Sequence, residues 1–441
     1  LMNFSNDDFI RTTEARHIRS CQELWRRIAA NNSPLGRDNI YLDTYGGWYS
    51  VRDEAFYAES ELVKGVDGEQ RAPSGAPVEW VEEPSYFFRL SDWRDRLLEY
   101  YGAPGSNIVS PESRRNEVIN FVEGELFDLS ISRTSFSWGV PVPDDDAHIM
   151  YVWLDALVNY ITATGFPDGD SDKYKTFWPC DLHMVGKDIL RFHTVYWPAF
   201  LMAAGLEPPK RVFAHGWWTN EGQKISKSLG NVIEPSDIVT RYGLDQVRYF
   251  LLREVPFGND GDFSHRAMIG RINSELANDF GNLAQRVLSM INKHCDAKMP
   301  QPGALQEADE ILLVAAHGLI DVVRTELAEN HAFHEALSKI WVFVRLANGY
   351  VAGQEPWALK KSDPERMATV LYIAAEAIRH LAILAQPFMP ESCANMLDQL
   401  GVPADARDFT YLGPAGAAKP DTELPPPSAI FPRFVDDAAE D

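Results

Sequence analysis

Leu182-His183-Met184-Val185-Gly186, then the helical pattern of Asp188 to Ala204, then Arg211 to Trp218 read as a strand, a helix and a second strand in succession. That order predicts a parallel α/β sheet. Short apolar runs keep alternating with helical patterns from Phe166 to Leu252. Beyond Ala267 the period becomes helical, as in Leu337, Ile340, Trp341, Val344 and Ala347, and again in Leu371, Ala375, Ile378, Leu381 and Leu384. An all-α bundle is therefore expected after the sheet. Upstream, Ile40 to Leu90 has a strand-like texture broken by the Gly, Pro and charge-rich loop Lys64 to Pro77, which predicts a small β insertion. Asp7 to Ala30 mixes apolar residues with many charges and predicts surface helices. From Gly401 the chain is rich in Pro and Ala, and Ile430-Phe431-Pro432 suits an extended tail packed back on the body.

The chain has 441 residues, enough for about three domains of ordinary size and a large core. Hydrophobic residues at 45% and charged residues at 24% exclude a disordered chain or a small stapled scaffold. A net charge of −23 argues against a generally basic coat for nucleic acid or membrane, while leaving room for a locally basic site. Cys21, Cys180, Cys295 and Cys393 form no C-x-x-C, so reduced and mostly buried thiols are expected. No uninterrupted apolar run long enough to cross a bilayer and no basic-then-apolar leader is read, which predicts a cytoplasmic protein without a membrane partner. G-x-G-x-x-G and G-x-x-x-x-G-K-[ST] are both absent, so neither a dinucleotide fold nor a P-loop has its fingerprint.

Lys224-Ile225-Ser226-Lys227-Ser228-Leu229-Gly230-Asn231 sets two lysines, two serines and a Gly-Asn turn between a strand and a helical segment. Flexible ammonium groups and hydroxyl donors suit phosphate handling, although such a loop in isolation is more often a solvated basic turn. Its neighbours decide the matter. Gly222 to Asn231 closely resembles the KMSKS loop of class I aminoacyl-tRNA synthetases, and Val232-Ile233-Glu234-Pro235 continues the likeness. The resemblance extends over nearly the whole chain to the methionyl-tRNA synthetases. Tyr151-Val152-Trp153-Leu154-Asp155-Ala156 is similar to that family's turn lining the methionine pocket, and Val185 to His193 to its second pocket segment. Phe257 to Phe263 resembles the stretch that leads into its helical domain.

The resemblance implies a partial class I Rossmann-type parallel sheet with a β-rich insertion, followed by an all-α anticodon-binding bundle. It implies methionine–tRNA ligase chemistry, in which methionine and ATP give methionyl-adenylate and the methionyl group then passes to methionine tRNA. Trp153 and Ile189 would wall the methionine side chain, Ala156 would leave it room, and Tyr160 and His193 would meet the sulfur. A thioether is a weak acceptor, so aromatic walls with one or two donors are the residue types that a selective site needs. Lys227, with Lys224 beside it, would be catalytic, because cations near the developing phosphate charge lower the barrier. Ser226, Ser228, Gly186 and Asp188 would help to bind ATP. Arg133 would sit near the phosphates, a structural ion pair being its alternative. Mg²⁺ would accompany ATP. Asn282 and Arg286, one helical turn apart, would read the anticodon, with Tyr411 as the stacking aromatic. Pro356-Trp357 is expected to end a helix and pack.

Two departures from the family qualify these expectations. No H-x-G-H is present, Arg16-His17-Ile18-Arg19 being only a superficial echo, which suggests a separate or missing N-terminal half. A non-catalytic tRNA-binding fragment is therefore the alternative. The insertion, where many relatives bind zinc through four cysteines, offers none around Trp48 to Asp53, so no structural zinc or other protein-bound metal is expected. Residues 1–38 would be a helical remnant of the first Rossmann half, 39–125 a zinc-free connective insertion, and 126–215 the second half with the methionine pocket. Residues 216–266 would hold the lysine loop and a stem-contact region, 267–400 the anticodon-binding bundle, and 401–441 the tail.

Overall fold

The structure, a computed structural model, describes residues 2–50, 52, 55–57, 59–65, 68–102, 107–124, 126–226 and 230–435. It divides into two compact units, Phe4–His215 and Gly216–Asp441, the latter taking in Leu1–Asn3.

In the first unit a long helix, α1 (Ala15–Ala30), turns one face inward through His17, Cys21, Leu24, Trp25 and Ile28. The surface helices expected over Asp7 to Ala30 are thus one amphipathic helix with its charged residues on the outer face, residues 7–13 being non-helical. Strands β1 (Ile40–Ser50) and β2 (Glu79–Phe88) pair antiparallel from Ile40↔Phe88 to Tyr49↔Glu79 and form the centre of the insertion. The strand texture ends there. Residues Arg94–Gly102 and Glu112–Glu123 are helical, and between them β3 (Val109–Ser110) joins the parallel sheet instead of the insertion. Two short helices follow, α2 (Val152–Leu157) and α3 (Asn159–Thr164).

Strands β4 (His183–Gly186) and β5 (Val212–His215) pair in parallel with β5 in the middle, so the sheet order is β4-β5-β3. The crossover between β4 and β5 is helical but irregular. A 3₁₀ turn at Lys187–Ile189 leads to a widened π-type turn at Phe192–Tyr196 and then to a regular helix at Trp197–Ala203. Val185, Val212 and Ala214 are buried against Trp197, Phe200 and Leu201, as expected of a parallel sheet covered by helices. The strand expected over Arg211 to Trp218 is interrupted at Gly216. A Cβ there would lie 2.3 Å from the Asn259 carbonyl carbon, so only glycine permits this backbone approach.

In the second unit β6 (Trp218–Asn220) pairs with Gln223–Lys224 antiparallel and with β7 (Gly261–Phe263) in parallel. The rest is helical. A run from His265–Arg271 through the π-type segment Ile272–Gly281 continues into α4 (Asn282–His294), followed further on by α5 (Phe333–Gln354), α6 (Pro356–Ser362) and α7 (Pro364–Ala385). Trp341 is fully buried, 4.6 Å from the Tyr249 ring and 6.0 Å from that of Phe280. By length and mean hydropathy α7 could cross a membrane, but its apolar run is interrupted by Glu376 and Arg379 and 89% of its apolar window is buried in this bundle. The tail returns as expected, with Phe431 buried beside Phe280.

His183, at the start of β4, accepts the indole N–H of Trp197 on Nε2 at 3.1 Å and is 3% exposed. Burial pulls its pKa down to about 3, helped by nearby His193. The unfolded chain protonates this imidazole near the usual 6.5, whereas the folded chain does not until about 3. Its contribution to stability is thus fully present above the unfolded pKa and is lost as pH falls toward the folded one. Denaturant unfolding is expected to show stability falling from pH 6.5 to 4, and His183→Gln should flatten that limb by up to about 1.4 kcal/mol per pH unit. An acid limb unchanged by the substitution would contradict this assignment.

Candidate functional site

The first unit gathers the residues expected to hold methionine. Trp153 on α2 lies flat on Phe192, with ring centroids 3.8 Å apart and an interplanar angle of 8°. Phe192 was not among the expected site residues, although it directly precedes His193 in the quoted segment. The Tyr160 hydroxyl on α3 is 2.8 Å from His193 Nε2, and His193 Nδ1 is 2.9 Å from the Ile189 carbonyl. A carbonyl can only accept, so Nδ1 carries the proton and Nε2 accepts from Tyr160. Burial lowers the pKa of His193, against the opposing pull of the Ile189 carbonyl, and pushes that of Tyr160 up to about 12. Both groups are neutral near pH 7.

The local backbone explains why these atoms meet. The π-type turn at Phe192–Tyr196 adds a residue to the helical register, and such widened turns recur at functional sites. It sets Phe192 against Trp153 and His193 toward Tyr160. Behind them, the His183 ring lies 4.0 Å from the Tyr160 ring. Ile189 and Ala156 are both half-buried. At Gly186 a Cβ would lie 2.5 Å from the Asp188 Oδ1, so the glycine leaves room for that carboxylate to fold back over the strand end. Arg133 is anchored: its Nη1 donates to Ser130 Oγ and the Ser132 carbonyl, and its Nε is 3.8 Å from Glu83.

The second unit carries the lysine loop and the helical candidates. Lys224 is exposed at the end of its strand. Asn231 braces the loop by accepting the Ser226 N–H at 2.8 Å and donating to the Lys224 carbonyl at 3.0 Å. Lys227 and Ser228 lie outside the described residues. Asn282 is exposed at the start of α4, and Arg286 follows it one turn on. Arg286 donates to Asn348 Oδ1 at 3.3 Å, and its Nε is buried with no partner among the described residues.

Another aromatic ring stands beside Arg286. The Arg286 guanidinium carbon is 6.0 Å from the centre of the Trp357 ring, and Trp357 is 42% exposed. The long helix α5 stops at Gln354, just before Pro356 as expected, and Pro356 also opens α6, its fixed φ being suited to the first helical turn. Tyr411 instead lines a separate cavity of about 320 Å³ with Arg379, which donates to the Tyr411 carbonyl at 2.7 Å. The exposure of this ring beside an arginine is not readable from the sequence, where Pro-Trp reads as a helix stop.

Among the described residues, His17, Cys21 and Asp155 are the group whose side-chain atoms could surround a metal ion. His17 Nε2 and Asp155 Oδ1 are 2.6 Å apart, the spacing of a hydrogen bond; ligands of one zinc ion, each about 2.0 Å from it, stand farther apart.

Residues 1–288 match the family model for class I tRNA synthetases (M), and residues 299–441 match that for the anticodon binding domain of methionyl tRNA ligase. A methionine–tRNA ligase of Mesorhizobium japonicum is 56% identical over 98% of this chain and 82% of its own length. One from Brucella suis is 54% identical over 99% of this chain and 83% of its own. The solved structure of Mycobacterium tuberculosis methionyl-tRNA synthetase bound by methionyl-adenylate superposes with a TM-score of 0.91 at 52% identity, covering 98% of this chain and 84% of that one. The free-state structure of the same enzyme gives 0.89 at 50% identity, covering 99% and 85%. None of these comparisons supports the reading of a non-catalytic fragment. With both units matched in order and the aromatic pocket assembled, the chain belongs to the class I methionyl-tRNA synthetase family.

Proposed function

We infer that the chain is a methionine–tRNA ligase, and the observation that carries this reading is the Trp153–Phe192 stack beside the Tyr160–His193 hydrogen bond. The stacked rings with Ile189 and Ala156 would offer a flat apolar wall to an unbranched, polarisable side chain. His193 gives its only proton to the Ile189 carbonyl and Tyr160 gives its own to His193 Nε2, so the pair would meet a thioether as neutral groups with no free proton, His193 orienting the hydroxyl. Protonation of His193 would reverse that orientation, and its depressed pKa prevents this near neutrality.

ATP is the co-substrate and arrives with Mg²⁺, a hard ion suited to phosphate oxygens. Gly186 and Asp188 would hold the nucleoside, and Arg133 would serve the phosphates from its Glu83-anchored position. Lys224, Ser226, Lys227 and Ser228 would stabilise charge on the α-phosphate and the departing pyrophosphate. The methionine carboxylate attacks the α-phosphorus, pyrophosphate leaves, and the methionyl group then moves to the terminal adenosine of tRNA. Positioning and charge stabilisation supply most of the rate. No cysteine lies between Cys21 and Cys180, so the insertion has no thiolate zinc site of its own. Within the units the finer boundaries would fall at residues 38, 266 and 400; that at 125 does not hold, because Val109–Ser110 joins the parallel sheet. A translation enzyme of this kind works in the cytoplasm.

For tRNA, Asn282 and Arg286 would pair with unstacked anticodon bases, and Trp357 in place of Tyr411 would stack beneath them. Because the chain carries a net charge of −23, affinity would rest on these local contacts and should fall with added salt.

The direct test is methionine-dependent ATP–pyrophosphate exchange, with leucine as the control amino acid. Exchange should require methionine and drop at least about a hundredfold in Lys227→Ala, the scale of losing a transition-state charge contact; leucine-supported exchange would overturn the reading. In filter binding, Trp357→Ala should weaken methionine tRNA by about tenfold or more, with Trp357→Phe milder and Tyr411→Ala close to the parent. The reverse ranking would restore Tyr411 as the stacking residue.

A further inference from the structure

His17 has no part in the chemistry above, yet it is completely buried and tied to both short helices that carry the methionine pocket. Its Nε2 is 2.6 Å from Asp155 Oδ1 on α2, and its Nδ1 is 3.3 Å from Thr162 Oγ1 on α3. Facing a carboxylate, Nε2 must be the donor. Cys21, one turn further along α1, puts its sulfur 3.2 Å from the same nitrogen and closes the ring against water.

The helices need such a tie. Each of α2 and α3 has six residues and no side-chain cap, well below the length at which a helix is stable by itself. Trp153 and Ala156 ride on α2, Tyr160 on α3. The distance from the aromatic wall to the Tyr160 hydroxyl is therefore set by how the two helices are held, and α1 supplies a long, rigid support on which one imidazole grips both. Ser20, on the same face of α1, donates to the Phe166 carbonyl just after α3 at 2.7 Å and fixes the far end.

We propose that His17 is a positioning residue for the methionine site: by bonding Asp155 and Thr162 together it sets the spacing between Trp153 and Tyr160, and with it affinity and selectivity for the thioether. This rests on the pocket reading given above. Losing a hydrogen bond to a charged group, and with it the register of two helices, should weaken methionine binding in His17→Ala by about tenfold, equivalent to about 1.4 kcal/mol. Preference for methionine over its sulfur-free isostere 2-aminohexanoic acid should narrow as well, which a purely structural role would not cause.

The test is titration of the purified chain with each amino acid, read by tryptophan fluorescence, with circular dichroism establishing the folded fraction. His17→Gln keeps an N–H able to reach Asp155 and should recover most of the affinity. If His17→Ala does not fold, Thr162→Val, which removes the Nδ1 partner together with that hydroxyl's local bond to the Val158 carbonyl while leaving His17 and Asp155 in place, carries the test and should bind methionine about threefold more weakly, a loss of roughly 0.65 kcal/mol. A wild-type chain that binds methionine while the folded variants match it in affinity and selectivity would overturn the role of His17 alone. A wild-type chain that does not bind methionine would overturn the pocket reading and this inference with it.

Discussion

The hydrogen bond from His193 Nδ1 to the Ile189 carbonyl is the constraint on which the candidate site turns. It spans one turn of a helix that is already widened at Phe192–Tyr196, and it gives the imidazole a fixed tautomer. Once Nδ1 is the donor, Nε2 must accept, and it accepts from the Tyr160 hydroxyl 2.8 Å away. Burial then keeps both groups neutral near pH 7, so the pair presents uncharged polar atoms beside flat aromatic carbon without any formal charge. A charged group there would favour water or a carboxylate over a thioether.

The same device recurs in the second unit. A π-type segment at Ile272–Gly281 precedes Asn282 and Arg286, so both candidate sites stand where a helix departs from its ideal register. Widened turns cost regular hydrogen bonds, and they persist here because large side chains pack around them, Trp341 and Phe280 in the bundle and Trp197 in the sheet unit. Arg286 has a buried Nε without a partner among the described residues and lies beside the exposed Trp357.

The sheet was legible because β4 and β5 are continuous apolar runs separated by a helical pattern, and the bundle because its period is sustained over long stretches such as α5 and α7. Ordered motifs brought Trp153, Tyr160, Ile189 and His193 to one place. Other features depend on tertiary context that a linear pattern does not encode. Val109–Ser110 is too short to announce itself as a strand and joins the parallel sheet only because Val212 offers it an edge. Arg211 to Trp218 reads as one strand, but the approach of Asn259 to Gly216 breaks it. His17 looked like a stray histidine among charges; only the fold shows its face of α1 turned inward to Asp155 and Thr162. Trp357 was hidden for the opposite reason, because Pro-Trp has an ordinary structural meaning and its exposure is a property of the folded surface.

The central claim is that a neutral, tautomer-locked His193 holds the Tyr160 hydroxyl in place. Nitrogen-15 correlation spectra of histidine-labelled protein, with His193→Gln to assign the resonance, test it most directly. At pH 7 the expected result is a neutral ring protonated on Nδ1, with Nε2 showing the shift of a bare acceptor nitrogen. A ring protonated on Nε2, or on both nitrogens, would contradict the geometry from which the pocket's preference for methionine has been derived.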